Sequence, residues 1–205
     1  MVPALRWPLA MVHVLLWAPN LIGYARLALL LAAFSSYADR IEIFAALLAA
    51  TAALDAVDGA AARKLDLCSA FGAFFDVAID NLHRTLLWAL LFPRGGAAMG
   101  CFEWLTFACT HCQGETWKAD VAQAPALVRG VMADGFKRPL GVLAMAGVWG
   151  LPHALLAQRH LPDHRELTSA LVAVCAVGRL LAFTVECWFV QQRVRHLCDQ
   201  DGKRM

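Results

Sequence analysis

Long apolar stretches dominate the chain, and short polar turns separate them. A helix that crosses a bilayer needs roughly 20 mostly apolar residues. Six segments come near that length, over residues 20–37, 41–63, 67–92, 96–112, 139–156 and 167–194. The pattern predicts an all-α membrane protein with six transmembrane helices. We expect a single domain over residues 1–205, with the six-helix bundle over residues 20–195 and a cytosolic tail over residues 196–205.

The first 18 residues are also apolar, but they are too few to cross a bilayer. Pro3, Pro8 and Pro19 bracket this segment, and Trp7 and Trp17 suit the interface between lipid and water. We therefore expect an interfacial helix over residues 1–18, which lies on the membrane surface.

Short connections join the first four segments, so consecutive helices should be antiparallel. Only the stretch over residues 113–138 is long. With six spans, eleven Lys and Arg residues fall on one side of the membrane and four on the other. The excess of positive charge marks the cytosolic side. Both termini and the connection at Arg63 are then expected to face the cytosol.

The composition supports a membrane protein. Apolar residues make up 60% of the chain and charged residues 17%, with a mean hydropathy of +0.56. A soluble domain is about 45–50% apolar and about 25% charged. The chain has 7 Cys within apolar stretches, which does not resemble a secreted disulfide framework. Cys109 and Cys112 are expected to be packing residues, with a metal or redox role as the alternative. We expect no nucleic acid partner.

Four carboxylates interrupt the second and third apolar segments. Asp55 and Asp58 are three residues apart and Asp76 and Asp80 four apart, so each pair shares one helix face. A short turn joins the two helices, which places the pairs at one level. Each ionised Asp inside a span costs roughly 2.5–3.5 kcal/mol on insertion scales. A divalent cation offsets this cost, and all-oxygen ligands favour Mg²⁺ or Mn²⁺.

An alternative is that arginines neutralise these carboxylates as buried ion pairs. That arrangement is expected to satisfy one or two of the four carboxylates. The candidate partners are Arg26, Arg63, Arg84 and Arg179.

Small residues share the faces that carry the carboxylates. Gly59 and Ala62 follow Asp55 at i+4 and i+7, and Gly72 precedes Asp76 by four. Small side chains let another helix or a ligand approach the backbone closely. Each glycine alone is also compatible with simple helix packing, whereas beside the carboxylates it provides room for a phosphate-bearing ligand.

The whole stretch DAVDGAAARKLDLCSAFGAFFDVAID, from Asp55 to Asp80, fits D-x2-D-G-x2-A-R-x8-G-x3-D-x3-D at every fixed position. It resembles the signature of the CDP-alcohol phosphotransferase family. Within that family PNLIGYAR, at residues 19–26, is similar to the first-span entry of eukaryotic phosphatidylinositol synthases. Two positions depart from that branch: Asn81 stands where an Arg usually follows the last Asp, and Glu103 stands where an Asp is expected.

The resemblance implies transfer of a phosphatidyl group from CDP-diacylglycerol to an alcohol, with release of CMP. The expected acceptor is myo-inositol, and the expected assembly is a homodimer in the endoplasmic reticulum of a eukaryote. One alternative is a sister enzyme that uses glycerol phosphate, phosphatidylglycerol, serine or diacylglycerol. A different class is a membrane protein that binds divalent cations without catalysis.

The resemblance also implies roles for individual residues. The metal ligands are Asp55, Asp58 and Asp76 with Asp80 beside them, and Asp80 is the expected general base on the acceptor hydroxyl. The residues expected to border the CDP-lipid are Asn20, Arg26, Gly59, Ala62, Arg63 and Gly72. Residues expected above the acceptor are Arg129, Lys137 and Arg138, which are alternatively topology determinants or contacts to anionic lipid.

Further charges inside the predicted spans include Arg84, Arg179 and Glu186. Arg84 stands one turn beyond Asp80, where it either orients that carboxylate or forms an ordinary buried pair. Arg179 and Glu186 share one face of the last span, so either they pair with each other or Arg179 reaches the acceptor.

Overall fold

The computed structural model describes residues 13–111 and 121–202, and within these residues it is all-helical, without a β-strand. Each of the six apolar segments contains a helix, as predicted. One short helix, α5, lies inside the connection that was predicted to be merely long. The helices are α1 Ala18–Ser36, α2 Ile41–Lys64, α3 Ala70–Leu91, α4 Gly96–His111, α5 Ala126–Met132, α6 Pro139–His160 and α7 Arg165–Gly202, with a 3₁₀ turn at Pro162–His164 before α7.

The structure describes only part of the predicted N-terminal interfacial helix and of the predicted C-terminal tail. Most of the predicted interfacial helix, residues 1–12, lies outside the described residues, as do Cys112 and residues 203–205. At the other end, residues 196–202 continue α7, and their place in a cytosolic tail stays a prediction. The helix continues because no Pro or Gly interrupts this stretch before Gly202.

Four helical segments of the described chain are long and apolar enough to cross a membrane: Ala18–Ser36, Ile41–Lys64, Pro139–His160 and Pro162–Gly202. The prediction of six spans is therefore only partly supported. Helix α3 carries Asp76, Asp80 and Arg84 within its 22 residues, and α4 has only 16 residues. The four apolar segments indicate a membrane protein.

The chain divides into two compact units, Met1–His83 and Arg84–Met205, each of which is described by itself. In the first unit α1 packs against α2. The Phe44 ring of α2 lies 5.4 Å from the Phe34 ring and 5.0 Å from the Tyr37 ring, measured between centroids. Helix α1 also approaches α3 closely, because a Cβ added to Gly23 would lie 2.9 Å from Cε1 of Phe75.

The turn between α2 and α3 sets the register of the two carboxylate pairs. The Leu67 amide donates to the Ala62 carbonyl at 2.9 Å, and Asp66 adopts the left-handed conformation with φ of 55°. This is the Schellman ending of a helix, with Asp where Gly is usual. The Ser69 hydroxyl then accepts a hydrogen bond from the Gly72 backbone amide at 2.9 Å and caps α3. The chain therefore reverses within a few residues.

In the second unit α6 and α7 cross at two glycines. A methyl group on Gly147 would collide with the α7 backbone at Gly178, and one on Gly178 would collide with α6. Such close crossings are typical of membrane helices. The core of this unit lies around the crossing and includes Ala124, Val128, Val131, Ala144, Val148, Ala182, Val185, Trp188 and Phe189.

Candidate functional site

Arg26 lies among the four carboxylates of the motif. Its Nη1 donates to Oδ2 of Asp58 at 2.7 Å and to Oδ1 of Asp76 at 2.5 Å. Its Nη2 donates to Oδ1 of Asp80 at 3.0 Å and pairs with Oδ1 of Asp55. The Arg26 side chain is only 2% exposed. Asp55, Asp58, Asp76 and Asp80, called the carboxylate cluster below, therefore meet around one buried guanidinium.

The expectation that arginine pairing would satisfy one or two carboxylates was wrong. One arginine contacts all four, because each terminal nitrogen of a guanidinium carries two hydrogens and can bridge two acceptors. Helix α1 brings Arg26 close enough, since Gly23 one turn earlier lets α1 approach α3. Arg26 thus ties three helices together at the level of the cluster.

The four carboxylates differ in their access to the surroundings. The Asp58 and Asp80 side chains are 12% and 20% exposed, whereas those of Asp55 and Asp76 are 45% and 47% exposed. Two carboxylates are therefore held inside the protein, while the other two remain open to an incoming ion or ligand.

The cluster has the chemistry of a divalent metal site. Asp55, Asp76 and Asp80 can each offer one carboxylate oxygen, with the three oxygens within 4.8 Å of one another. Asp58, the fourth predicted ligand, lies outside this trio and contacts Arg26. One positive charge faces four negative ones, which leaves a large negative excess for a hard cation to offset. The donor set therefore fits Mg²⁺ or Mn²⁺ better than a soft metal.

A cavity of about 230 Å³ adjoins the cluster within the first unit. Its walls include Asp58 and Asp76 of the cluster. They also include the six residues predicted to border a CDP-lipid: Asn20, Arg26, Gly59, Ala62, Arg63 and Gly72. The structure therefore brings these six residues together around one cavity; the role of each in binding stays a prediction.

Sequence reasoning missed two polar residues of the cavity wall, Cys68 and Ser69. Ser69 could have been found, because a hydroxyl residue just before an apolar helical stretch is an N-cap signal. Cys68 carries no such signal. Close to Ser69, a Cβ on Gly72 would lie 2.9 Å from Oδ1 of Asn20, and the Asn20 amide donates to the Val14 carbonyl at 2.7 Å. A side chain at position 72 would therefore require the Asn20 or Ser69 side chain to shift.

The three predicted acceptor residues belong to the second unit. Arg129 is exposed and donates to the Ala124 carbonyl at 2.9 Å, and Arg138 pairs with Asp134 at 2.5 Å. Lys137 is exposed. Their role at an acceptor stays a prediction.

The charged residues Arg84, Glu103, Arg179 and Glu186 form a second cluster in that unit. Arg84 pairs with Glu103 at 2.6 Å, and its guanidinium lies 4.6 Å from the centre of the Trp149 ring. Arg179 pairs with Glu186 at 2.8 Å and lies 3.5 Å from Glu103. Two positive and two negative charges therefore neutralise one another, which agrees with the predicted pairing of Arg179 with Glu186.

Two curated relatives share part of this sequence. A Drosophila melanogaster protein named CDP-diacylglycerol–inositol 3-phosphatidyltransferase is 40% identical over 85 residues, covering 40% of this chain and 38% of the relative. An Arabidopsis thaliana protein named probable CDP-diacylglycerol–inositol 3-phosphatidyltransferase 2 is 37% identical over 121 residues, covering 55% of this chain and 54% of the relative. The chain thus spans about half, or less, of the length of the curated relatives it matches. No solved structure matches it.

The family model for CDP-alcohol phosphatidyltransferases matches residues 16–146, which is more than half of the chain. The match includes the carboxylate cluster and every residue predicted to border the CDP-lipid. This chain belongs to the CDP-alcohol phosphatidyltransferase family.

Proposed function

We propose that this protein transfers the phosphatidyl group of CDP-diacylglycerol to myo-inositol, giving phosphatidylinositol and CMP. One observation carries the proposal: the cavity that adjoins four clustered carboxylates is lined by the six residues expected to border a CDP-lipid. The printed names of the curated relatives support inositol as the acceptor.

The carboxylate cluster is the proposed metal site. The family is generally dependent on divalent metal, and we propose Mg²⁺ or Mn²⁺ held by Asp55, Asp58 and Asp76 with Asp80 beside them. Such an ion would offset the negative charge of the diphosphate and of the departing CMP. Because phosphoryl-type transfer asks mainly for positioning and charge compensation, a rigid set of carboxylates suits it.

Asp80 is the proposed general base. It takes the proton from the acceptor hydroxyl as that oxygen attacks the β-phosphorus, and CMP leaves as the bond to the bridging oxygen breaks. Asp80 lies 3.0 Å from Arg26 and so belongs to the same cluster as the proposed metal ligands. Asp80 is also less exposed than Asp55 or Asp76, so it suits the inner end of a reaction site.

The cavity is the proposed donor site. Gly59 and Ala62 let the nucleotide approach the α2 backbone, and Gly72 does the same on α3. Arg63 and Arg26 line the same cavity and carry the positive charge that a diphosphate requires. Asn20 offers a side-chain oxygen close to Gly72 to a hydrogen-bond donor on the ligand.

For the acceptor we propose Arg129, Lys137 and Arg138 as contacts. A sister reaction with another alcohol is the second candidate, and one observation favours it: Asn81 stands where an Arg is usual in the inositol-using branch. The sister acceptors are glycerol phosphate, phosphatidylglycerol, serine and diacylglycerol.

The proposed setting is the endoplasmic reticulum membrane of a eukaryotic cell, with six spans and an interfacial N-terminal helix. In this topology α3 and α4 also cross the membrane, as the apolar segments over residues 67–92 and 96–112 predict. The active site and both termini face the cytosol, and two copies form a homodimer. The excess of Lys and Arg on one side supports this orientation.

An acceptor panel tests the proposal. The purified protein is given CDP-diacylglycerol and Mg²⁺ or Mn²⁺ with each alcohol in turn, and CMP is measured. We expect CMP release that depends on myo-inositol. Release with a different alcohol only would reject inositol and support the sister reaction. A protein that binds the metal but releases no CMP with any acceptor would instead be a cation-binding protein.

A further inference from the structure

Arg26 and a divalent metal ion need the same carboxylates. The guanidinium contacts one oxygen from each member of the carboxylate cluster. The three carboxylates that can converge on a metal, Asp55, Asp76 and Asp80, are all among them. A cation that binds these carboxylates must therefore share them with Arg26 or replace it.

Electrostatics makes this sharing unfavourable. A divalent ion among the same carboxylates would lie within a few ångströms of the guanidinium, where two positive charges repel strongly in a partly buried site. Arg26 is almost completely buried, so little solvent screens that repulsion. The attraction between the ion and the carboxylates is reduced by the positive charge already present.

The Arg26 side chain also has unused binding capacity. Its Nε is buried and donates no hydrogen bond among the described residues, although both terminal nitrogens do. The same residue lines the cavity. A guanidinium that leaves the carboxylates thus has a neighbouring space to enter, and its planar fork suits a phosphate oxygen pair.

We propose that Arg26 is a built-in counter-cation that competes with the divalent metal for the carboxylate cluster. It holds the four carboxylates together without metal and yields them as metal binds. This inference rests on the proposed function only in taking the metal of that reaction as the competitor. Removal of Arg26 is therefore expected to tighten metal binding while destabilising the metal-free protein.

The test measures Mn²⁺ binding to the purified full chain by electron paramagnetic resonance, without substrate. We expect Arg26→Met to lower the Kd for Mn²⁺ roughly tenfold or more. Arg26→Lys keeps a positive charge but cannot bridge four carboxylates, so a smaller decrease is expected. The matched control, Arg40→Met, removes an exposed arginine at the start of α2 and should leave the Kd unchanged.

A thermal melt supplies the second readout. Arg26→Met should melt below the wild type in a chelator and should gain more stability from Mn²⁺ than the wild type does. If Arg26→Met does not fold, the Kd of Arg26→Lys for Mn²⁺ tests the proposal instead. A Kd that is unchanged or higher in the folded Arg26 variants would overturn the competition. That result is separate from the proposed function, because CMP release by the wild type is measured independently.

Discussion

The Arg26 guanidinium lies 2.7 Å from the Asp58 carboxylate, and both side chains are largely buried. The pair joins α1 to α2, and the same guanidinium reaches the carboxylates of α3. Because an unpaired charge inside a membrane protein is costly, each side chain lowers the free-energy cost of burying the other. The contact places the carboxylate cluster beside the cavity, which is the arrangement on which the proposed chemistry depends.

Asp80→Asn tests the general base. An amide cannot take the proton from the hydroxyl of the acceptor alcohol. We therefore expect the rate of inositol-dependent CMP release to fall roughly 10²–10⁴-fold while the protein still folds. The control is Asp39→Asn, an exposed position in the turn after α1, which should keep wild-type activity. Wild-type turnover in Asp80→Asn would remove Asp80 from that role.

Gly72→Ala tests the shape of the cavity. The added methyl group would meet Oδ1 of Asn20 at 2.9 Å and the Ser69 hydroxyl at 3.0 Å. We expect a higher KM for CDP-diacylglycerol with a smaller effect on kcat. Gly130→Ala is the matched control, since its methyl group would lie 3.4 Å from Leu140. Equal KM values for both variants would contradict a donor site at Gly72.

Cys68 provides a chemical probe of the cavity. Its thiol is exposed and lines the cavity wall, so a maleimide should react with it. Saturating CDP-diacylglycerol should slow this reaction, because the bound nucleotide covers the thiol. Cys198 of α7 lies beyond the predicted span over residues 167–194, is also exposed and serves as the internal control. The rates are followed by mass spectrometry of peptides, and protection of both cysteines or of neither would argue against donor binding here.

Glu103→Ala tests the second charged cluster. The change leaves Arg84 and Arg179 without the carboxylate that contacts both, at 2.6 and 3.5 Å. Loss of one partner of a buried ion pair costs about 3–5 kcal/mol of stability. Glu166→Ala, at the exposed start of α7, should cost about 0.5 kcal/mol or less. Unfolding in detergent measures the stability of both variants. Similar stabilities for Glu103→Ala and Glu166→Ala would show that Glu103 is not a structural partner.

Much of the fold follows from the sequence because long apolar stretches have few conformations available in lipid. The convergence of Asp55 and Asp76 also follows, since a short turn between two helices fixes their level. The position of Arg26 could not be predicted, because it depends on how closely α1 approaches α3 at Gly23 and on one side-chain conformation. Helix α5 was missed because seven residues carry too weak a periodic signal.

The most direct test of the central claim follows a labelled acceptor into lipid. Proteoliposomes that contain the purified protein, CDP-diacylglycerol and Mg²⁺ are given deuterated myo-inositol, and the lipids are analysed by mass spectrometry. The account predicts deuterated phosphatidylinositol and an equal amount of CMP, both abolished by chelation of the metal. CMP without labelled lipid, or labelled lipid that forms equally well in the chelator, would contradict it.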